Sequence, residues 1–316
     1  MTARLALGQE GKRLDRALLD LGLAGSRQAA RELIAAGRVR VNGGISKKGY
    51  LVRADDRLEL TEQDTPDRPV ANPALTPAVL HEDAAVVVVA KAGLLPCHPL
   101  RLSETNTLMN GVVALYPETA EAGDNPREGG LVHRLDNGAS GAVMIARSTL
   151  ALGLLRQALR KNEIAREYQA LALGKLGELV EIDIPIAHHA SDPKRMTVVP
   201  AGSKRGWRGR PRAALTRVEP ILTLNGRTLV RVIPRTGVRH QIRVHLAAAA
   251  LPLVGDELYG APREMTLEPG RFFLHLRRLT FTSPTGAQVN VEAPLPADLA
   301  LTLESSGAEG LTATSR

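Results

Sequence analysis

Apolar positions along the chain change period several times, and each change marks an element. Leu14, Ala17, Leu18 and Leu21 recur at helical spacing and stop at Gly22. Ser26 stands as the N-cap of a second helix, with Ala30, Leu33 and Ile34 on one face and Gly37 as its stop. Val39-Arg40-Val41 alternates as a strand does, Asn42-Gly43 marks a tight turn, and Leu51-Val52 and Leu58-Glu59-Leu60 predict two more short strands. A small α/β domain is therefore expected over residues 12–60. Residues 61–77 are polar, carry Pro66, Pro69, Pro73 and Pro77, and read as a stiff linker.

The unbroken apolar run Val86-Val87-Val88-Val89-Ala90 predicts a buried strand near the start of a second domain, residues 78–302. There the two periods mix. Helices are expected near 105–116, 149–161 and 241–250, and strands near 142–146, 167–173, 212–218, 227–234, 272–281 and 288–292. That irregular order predicts an α+β fold with a mixed, largely antiparallel sheet rather than a doubly wound one. Residues 303–316 are small and polar and are expected to form a disordered tail.

Composition narrows the function. A chain of 316 residues fits two domains, and aromatic residues at 3% argue against RNA-binding modules that stack bases on paired aromatics. The net charge of +8 favours a polyanionic partner. Residues 1–60 carry twelve Lys/Arg against seven Asp/Glu, 61–130 carry four against ten, and 131–316 carry twenty-five against sixteen. The positive charge thus lies in two separated stretches. A single cysteine, Cys97, excludes an intrachain disulfide and a zinc ribbon. Met1 to Arg16 has no apolar leader segment and no run is long enough for a membrane span, so a cytoplasmic protein without membrane attachment is expected; a monomer is the expected state, though no residue pattern fixes it.

The stretch His133-Arg134-Leu135-Asp136 runs into the small-residue turn Asn137-Gly138-Ala139-Ser140-Gly141 and then an apolar strand. A carboxylate at the mouth of a strand can act as nucleophile or general base; equally, it can be an ordinary turn acid beside a solvated arginine. His133, His240 and His245 match no zinc-ligand spacing and read as core or backbone-bonded residues. Gly138-Ala139-Ser140-Gly141-Ala142 lacks the second glycine of a nucleophile elbow, and no glycine-rich phosphate loop is present. Hydrolase and nucleotide-dependent chemistries are disfavoured. The basic cluster Lys204, Arg205, Trp207, Arg208, Arg210 and Arg212 suits phosphate contacts and base stacking, or else a merely solvated loop.

Two resemblances connect these pieces. The run RLDRALLDLGLAGSRQAARELIAAGRVRVNG resembles the alpha-L RNA-binding motif of ribosomal small-subunit protein four, which implies RNA contacts from Arg13, Arg16, Arg27, Arg31, Arg38 and Arg40. Over about residues 80–300 the chain resembles the RluA-type pseudouridine synthases. The segments that carry this are Val88 to Leu94, Gly130 to Asp136, Arg166 to Ala170, Arg235 to Leu246 with Pro252 to Asp256 and Tyr259-Gly260, and Phe272 to Leu276. The resemblance implies cofactor-free isomerisation of uridine in RNA. It assigns catalysis to Asp136, Tyr168 and Arg243, and substrate contacts to Lys91, His133, Arg134 and Leu246. Its Arg134 enters the stack vacated by a flipped base, and its Arg243 keeps Asp136 charged.

The chain departs from the family pattern at Ala92, at Gly138-Ala139 where a polar pair is usual, and at Val238-Arg239. The appended RNA-binding domain favours large-subunit ribosomal RNA as substrate. Transfer RNA, a non-catalytic assembly role and an RNA glycosidase are the alternatives.

Overall fold

In the first unit, two short helices bury alanine and leucine against a small sheet because their ends are fixed by glycine. Gly22 and Gly37 both take positive φ, near 69°, and the following residues close the helices: Leu23 N–H donates to Leu18 O, and Arg38 N–H donates to Leu33 O. These end α1 (Leu14–Asp20) and α2 (Arg27–Ala35). Ser26 Oγ accepts the Ala29 N–H at 3.1 Å, the capping its position predicted. The computed structural model describes residues 2–4, 9–35, 37–46, 49–60 and 68–308.

Strands β1 (Thr2–Arg4), β2 (Val39–Val41), β3 (Gly44–Ile45) and β4 (Arg57–Leu60) form an antiparallel sheet in the order β1-β4-β2-β3. Asn42 and Gly43 both have positive φ, 52° and 81°, as a two-residue hairpin turn requires. Leu51 forms only an isolated bridge to Arg13 where a strand was expected. Leu14, Ala17, Leu18, Ala30, Val39, Val52 and Leu58 make the core.

The chain divides into two compact units, Met1–Pro66 and Asp67–Arg316. In the second, a large mixed sheet carries the site. Its strands are β5 (Val79–Glu82), β6 (Val86–Lys91), β7 (Ser140–Ala146), β8 (Ala165–Leu173), β9 (Val180–Asp183), β13 (Leu215–Leu224), β14 (Arg227–Pro234), β15 (Leu274–Thr282) and β16 (Gln288–Glu292). The order is β5-β6-β7-β15-β8-β14-β13-β9, with β16 beside β15, and the β7–β15 pair alone is parallel. This is the mixed, largely antiparallel α+β arrangement that the periodicity predicted. Helices α3 (Leu108–Leu115), α4 (Thr149–Arg160), α5 (Gln241–Ala248) and α6 (Ala297–Ser305) complete the unit. Strands β10 (Ile186–His189), β11 (Met196–Val198) and β12 (Trp207–Arg212) form a separate sheet, β11-β10-β12.

Three expectations are corrected. The strand expected over 212–218 is divided: Arg212 ends β12 in the small sheet and Leu215 begins β13 in the large one. Of the expected linker, residues 61–67 lie outside the described residues, and 68–77 are strapped onto the second unit rather than free. Val70 O accepts from Asn110 Nδ2 at 2.7 Å, and Asn72 Nδ2 donates to Thr105 O at 2.8 Å, so the Asn110 side chain of α3 and a carbonyl ahead of that helix find partners in this segment. Of the expected disordered tail, 309–316 lie outside the described residues, but 303–308 pack. Leu303 and Ala308 are buried with Leu299, and Ser306 Oγ accepts from Arg227 Nη1 at 2.9 Å. No described helix is long and apolar enough to cross a membrane.

Candidate active site

The turn between Leu135 and Ser140 is held from all sides before it displays its acid. Cys97 Sγ accepts the Leu135 N–H at 3.3 Å and donates to Leu135 O at 3.4 Å. Ala139 N–H closes the turn onto Asp136 O at 3.1 Å, and Leu94 N–H donates to Asn137 O at 2.8 Å. Gly138 is required by packing, since a Cβ there would overlap the Gly270 carbonyl and the Phe272 ring. A side chain at 138, such as the polar pair usual in the family would place there, is therefore excluded by the local backbone approach. What remains accessible is Asp136, 24% exposed, at the mouth of β7.

Arg243, on the first turn of α5, meets that carboxylate: its Nη1 donates to Asp136 Oδ2 at 3.1 Å. The other edge of the guanidinium forks onto Asp256, Nε to Oδ2 at 2.7 Å and Nη2 to Oδ1 at 2.8 Å. Asp256 is 1% exposed. Its carboxylate compensates Arg243 inside the protein, and burial, which alone lowers the arginine pKa, is outweighed by Asp256 and Asp136 so that the net shift is upward. The guanidinium carbon lies 4.2 Å from the Phe272 ring centroid and 5.0 Å from that of Tyr259, within cation–π range. One arginine thus links a sealed acid to a reachable one.

The start of α5 is fixed by Gln241, whose Oε1 accepts from Thr236 Oγ1 and Val238 N–H while its Nε2 donates to Leu215 O and Thr216 Oγ1. His240 caps the helix with left-handed backbone, φ 55°, and its Nε2 lies 4.0 Å from Asp136 Oδ1. His240 Nδ1 meets the Tyr259 hydroxyl at 2.9 Å, and that hydroxyl accepts the Met196 N–H. His245 is framework: its Nε2 donates to Ile184 O and its Nδ1 accepts from Thr216 Oγ1, as the backbone-bonded reading expected.

Tyr168 sits on β8 between Leu276 of β15 and Val232 of β14. Burial pushes its phenol pKa up, Arg166 opposes this, and the Asp136 charge adds to it. Its hydroxyl has no hydrogen bond to any described residue. Leu246 is buried within the same core. Arg134 is exposed and does not pair with Asp136; its Nη1 lies 3.3 Å from His98 Nε2, which also lies 4.0 Å from Glu128 Oε1, while His98 Nδ1 faces Pro99 O.

Two expected substrate contacts are framework instead. Lys91, 2% exposed, donates to Ala92 O, Leu95 O and Asn137 O, and burial pushes its pKa down to about 8. A buried ammonium needs such carbonyls, so it fixes the turn from behind. His133 accepts the Met144 N–H on Nε2, and burial pushes its pKa down to about 3.

Sequence reasoning left Asp256, Tyr259, Phe272 and Arg271 without roles. The available signal was the resemblance itself, since Asp256, Tyr259 and Phe272 lie in segments that carry it; Arg271 lies just outside them.

The basic residues fall into two groups. Arg13, Arg27 and Arg31 each donate through Nε to the buried Asp15, at 3.2, 3.1 and 3.0 Å, leaving their outer nitrogens toward solvent. Burial alone would raise Asp15, but the bonds from Arg31, Arg13 and Arg27 bring its pKa down to about 2. Arg16 pairs with Asp20, Arg40 reaches Gly43 O, and Arg38 lies half-buried beyond α2. In the second unit Lys204, Arg205 and Arg208 are exposed and Trp207 half-buried on the β12 edge. Among the described residues no group of three His, Cys, Asp or Glu could hold a metal ion.

The buried histidines give a stability prediction. His133 titrates near 3, and burial likewise pushes His240 and His275 to about 4. An unfolded histidine protonates from about pH 6.5 downward, whereas these stay neutral in the fold. Their contribution is fully present above that pH and is lost as pH falls toward the folded values. Denaturant midpoints are expected to fall from pH 7.5 to pH 5, a window above the range in which Asp15 titrates. A flat profile there would contradict this.

Comparisons with known proteins follow the same division. A model described as RNA pseudouridylate synthase matches residues 85–248, and one described as S4 domain matches 12–58. The chain is similar to proteins named ribosomal large subunit pseudouridine synthase D. It is 32% identical to that of Yersinia pestis over 95% of this chain and 92% of that protein. It is 32% identical to that of Haemophilus ducreyi over 96% and 94%, and 30% identical to that of Escherichia coli K12 over 96% and 93%. A solved human structure, RNA Pseudouridylate Synthase Domain Containing 1, is similar in fold with TM-score 0.55 and 25% identity, over 70% of this chain and 84% of that one.

Proposed function

The chain belongs to the RNA pseudouridylate synthases, and from that premise we propose that it isomerises uridines of large-subunit ribosomal RNA, with Asp136 as the catalytic carboxylate. It is an isomerase whose first unit is an S4 domain. The observation that carries the assignment of the residue is the Asp136–Arg243–Asp256 chain, in which a half-exposed carboxylate faces a cation already neutralised from the other side.

The reaction breaks the bond from ribose C1′ to the base nitrogen N1, turns the uracil, and makes a bond from C1′ to C5. The C5 proton leaves and N1 gains one, so atoms balance without oxidant, reductant or water. Ionised Asp136 serves either of two routes: attack on C1′, or proton removal from the sugar to drive elimination. Arg243 favours the ionised form in both, because an opposite charge at hydrogen-bond distance stabilises a carboxylate. Tyr168 supplies a ring face for the uracil and an uncommitted hydroxyl to pass on the proton released from C5. Arg134, exposed beside the turn, is placed to fill the gap left by an extruded base.

The relatives' names specify the large ribosomal subunit, which supports ribosomal over transfer RNA as substrate. Arg13, Arg27 and Arg31 on the S4 unit, and Lys204, Arg205, Trp207 and Arg208 on the other, are assigned to phosphate and base contacts. Arg16, Arg38 and Arg40 extend the basic face of the first. Action on ribosomal RNA supports the cytoplasm as the place of action, and a monomer is the assigned state. The test is incubation of the purified protein with large-subunit ribosomal RNA and with transfer RNA, followed by pseudouridine mapping. Conversion at discrete uridines of the ribosomal RNA is expected. Conversion confined to transfer RNA would overturn the substrate, and none in either would overturn the activity.

A further inference from the structure

The carbonyl of Gly138 and the hydroxyl of Ser140, both just C-terminal to Asp136, are held by one side chain from a distant segment. Arg271 Nη1 donates to Gly138 O at 2.5 Å and to Phe272 O at 3.1 Å, and its Nη2 donates to Ser140 Oγ at 2.9 Å. Its Nε is fixed by Asp298 of α6 at 2.7 Å. The guanidinium is 2% exposed, so its charge has been withdrawn from water although Asp298 remains 39% exposed. Gly93 permits this approach, since a Cβ there would overlap the Arg271 side chain. The next residue, Phe272, lies under the guanidinium of Arg243. Two consecutive residues therefore support both members of the Asp136–Arg243 pair, one through the turn and one through the arginine.

We propose that Arg271, oriented by Asp298, is a positioning residue for the isomerisation: it sets the Asp136 turn against Arg243 and makes the C-terminal helix part of the catalytic apparatus. A fork with three donor directions is needed, because the Gly138 carbonyl, the Ser140 hydroxyl and Asp298 lie on different edges of one plane. A lysine at 271 retains the charge and loses the fork. Ser140 Oγ would stay partnered through His275 Nδ1, at 3.0 Å, so the change falls on the turn rather than on the core around it. The proposal rests on Asp136 being the catalytic carboxylate.

The experiment compares wild type, Arg271→Lys and Asp298→Asn. It measures single-turnover conversion of ribosomal RNA at saturating enzyme, RNA affinity in the same buffer, and thermal unfolding. Small misplacement of a reacting group costs about a hundredfold in rate, and a loss of about that size is expected for Arg271→Lys with RNA affinity unchanged. Asp298→Asn keeps an acceptor for Nε and lacks the charge, so a smaller loss in the same direction is expected. Unchanged rates in the folded variants would overturn the proposal, as would a loss of rate matched by an equal loss of RNA affinity. Should Arg271→Lys not fold, Asp298→Asn decides, since its side chain borders solvent, and a wild-type rate there overturns the idea. Absence of conversion by the wild type would instead sink the assigned activity, and this inference with it.

Discussion

Asp136→Asn is expected to abolish pseudouridine formation while leaving the fold and RNA affinity in place. Asparagine keeps the shape and still offers an oxygen to Arg243 Nη1, so the turn held by Cys97, Leu94 and Arg271 has no reason to move. Arg243 remains neutralised by its fork onto Asp256, so no buried charge is orphaned. What disappears is the negative charge that either route to N1–C1′ cleavage requires. Loss of a reacting group typically lowers kcat by about 10⁴-fold or more. Single-turnover assays on ribosomal RNA check the rate, and a filter-binding titration checks the affinity. Retained conversion in this variant would remove Asp136 from the chemistry. Weakened RNA binding at unchanged rate would recast it as a docking residue, and the non-catalytic alternative would regain ground only if wild type and variant were equally inert.

The sequence made the local layer of this protein readable, and the limits of that reading have physical causes. Glycine stops at Gly22 and Gly37 and the Ser26 cap depend only on neighbours in sequence, so they were legible. The unbroken run Val86 to Val89 and the arrival of Arg243 at Asp136 were legible too, the first from periodicity and the second through family resemblance. The division of 212–218 between two sheets was not. Both halves have strand composition, and only the pairing partners, Ile186 for Arg212 and Asp183 for Leu215, separate them. Residues 68–77 look like a linker because proline dominates their composition, yet their carbonyls and amides are used by α3, which lies some forty residues away in sequence. Lys91 resembles a substrate contact in one dimension. In three, its ammonium is buried among the carbonyls of Ala92, Leu95 and Asn137.

The same contrast explains the departures from the family pattern around Asp136. Gly138 looked like the loss of a polar anchor. Its missing side chain allows Gly270 and Phe272 to close on the turn, and Arg271 reaches the Gly138 carbonyl directly. In this chain the turn is anchored by a guanidinium held by α6, and not by side chains at 138 and 139. A sequence read locally shows the missing side chain and not the contact that holds its carbonyl, because Arg271 lies 133 positions away.

Asp256→Ala is expected to be the most damaging single change outside the turn. It leaves Arg243 buried, with two of its three carboxylate bonds gone and only the half-exposed Asp136 as counter-charge. Breaking a buried pair by removing one partner costs about 3–5 kcal/mol, since the remaining charge stays desolvated. Arg243 would also be free to swing toward Asp136 and form with it the fork now made to Asp256, blocking the acid from substrate. Stability and kcat should therefore fall together, the first seen in denaturant titration and the second in conversion assays at a temperature where the variant is still folded. A double change, Asp256→Leu with Arg243→Met, separates the two effects. Replacing a buried ion pair by apolar residues of similar volume is often neutral or stabilising, so the fold should largely recover. Activity should not, because Asp136 then faces no cation. Recovery of conversion in the double variant would show that Arg243 serves only the fold, and wild-type stability in Asp256→Ala would show that the sealed acid is not what holds the arginine.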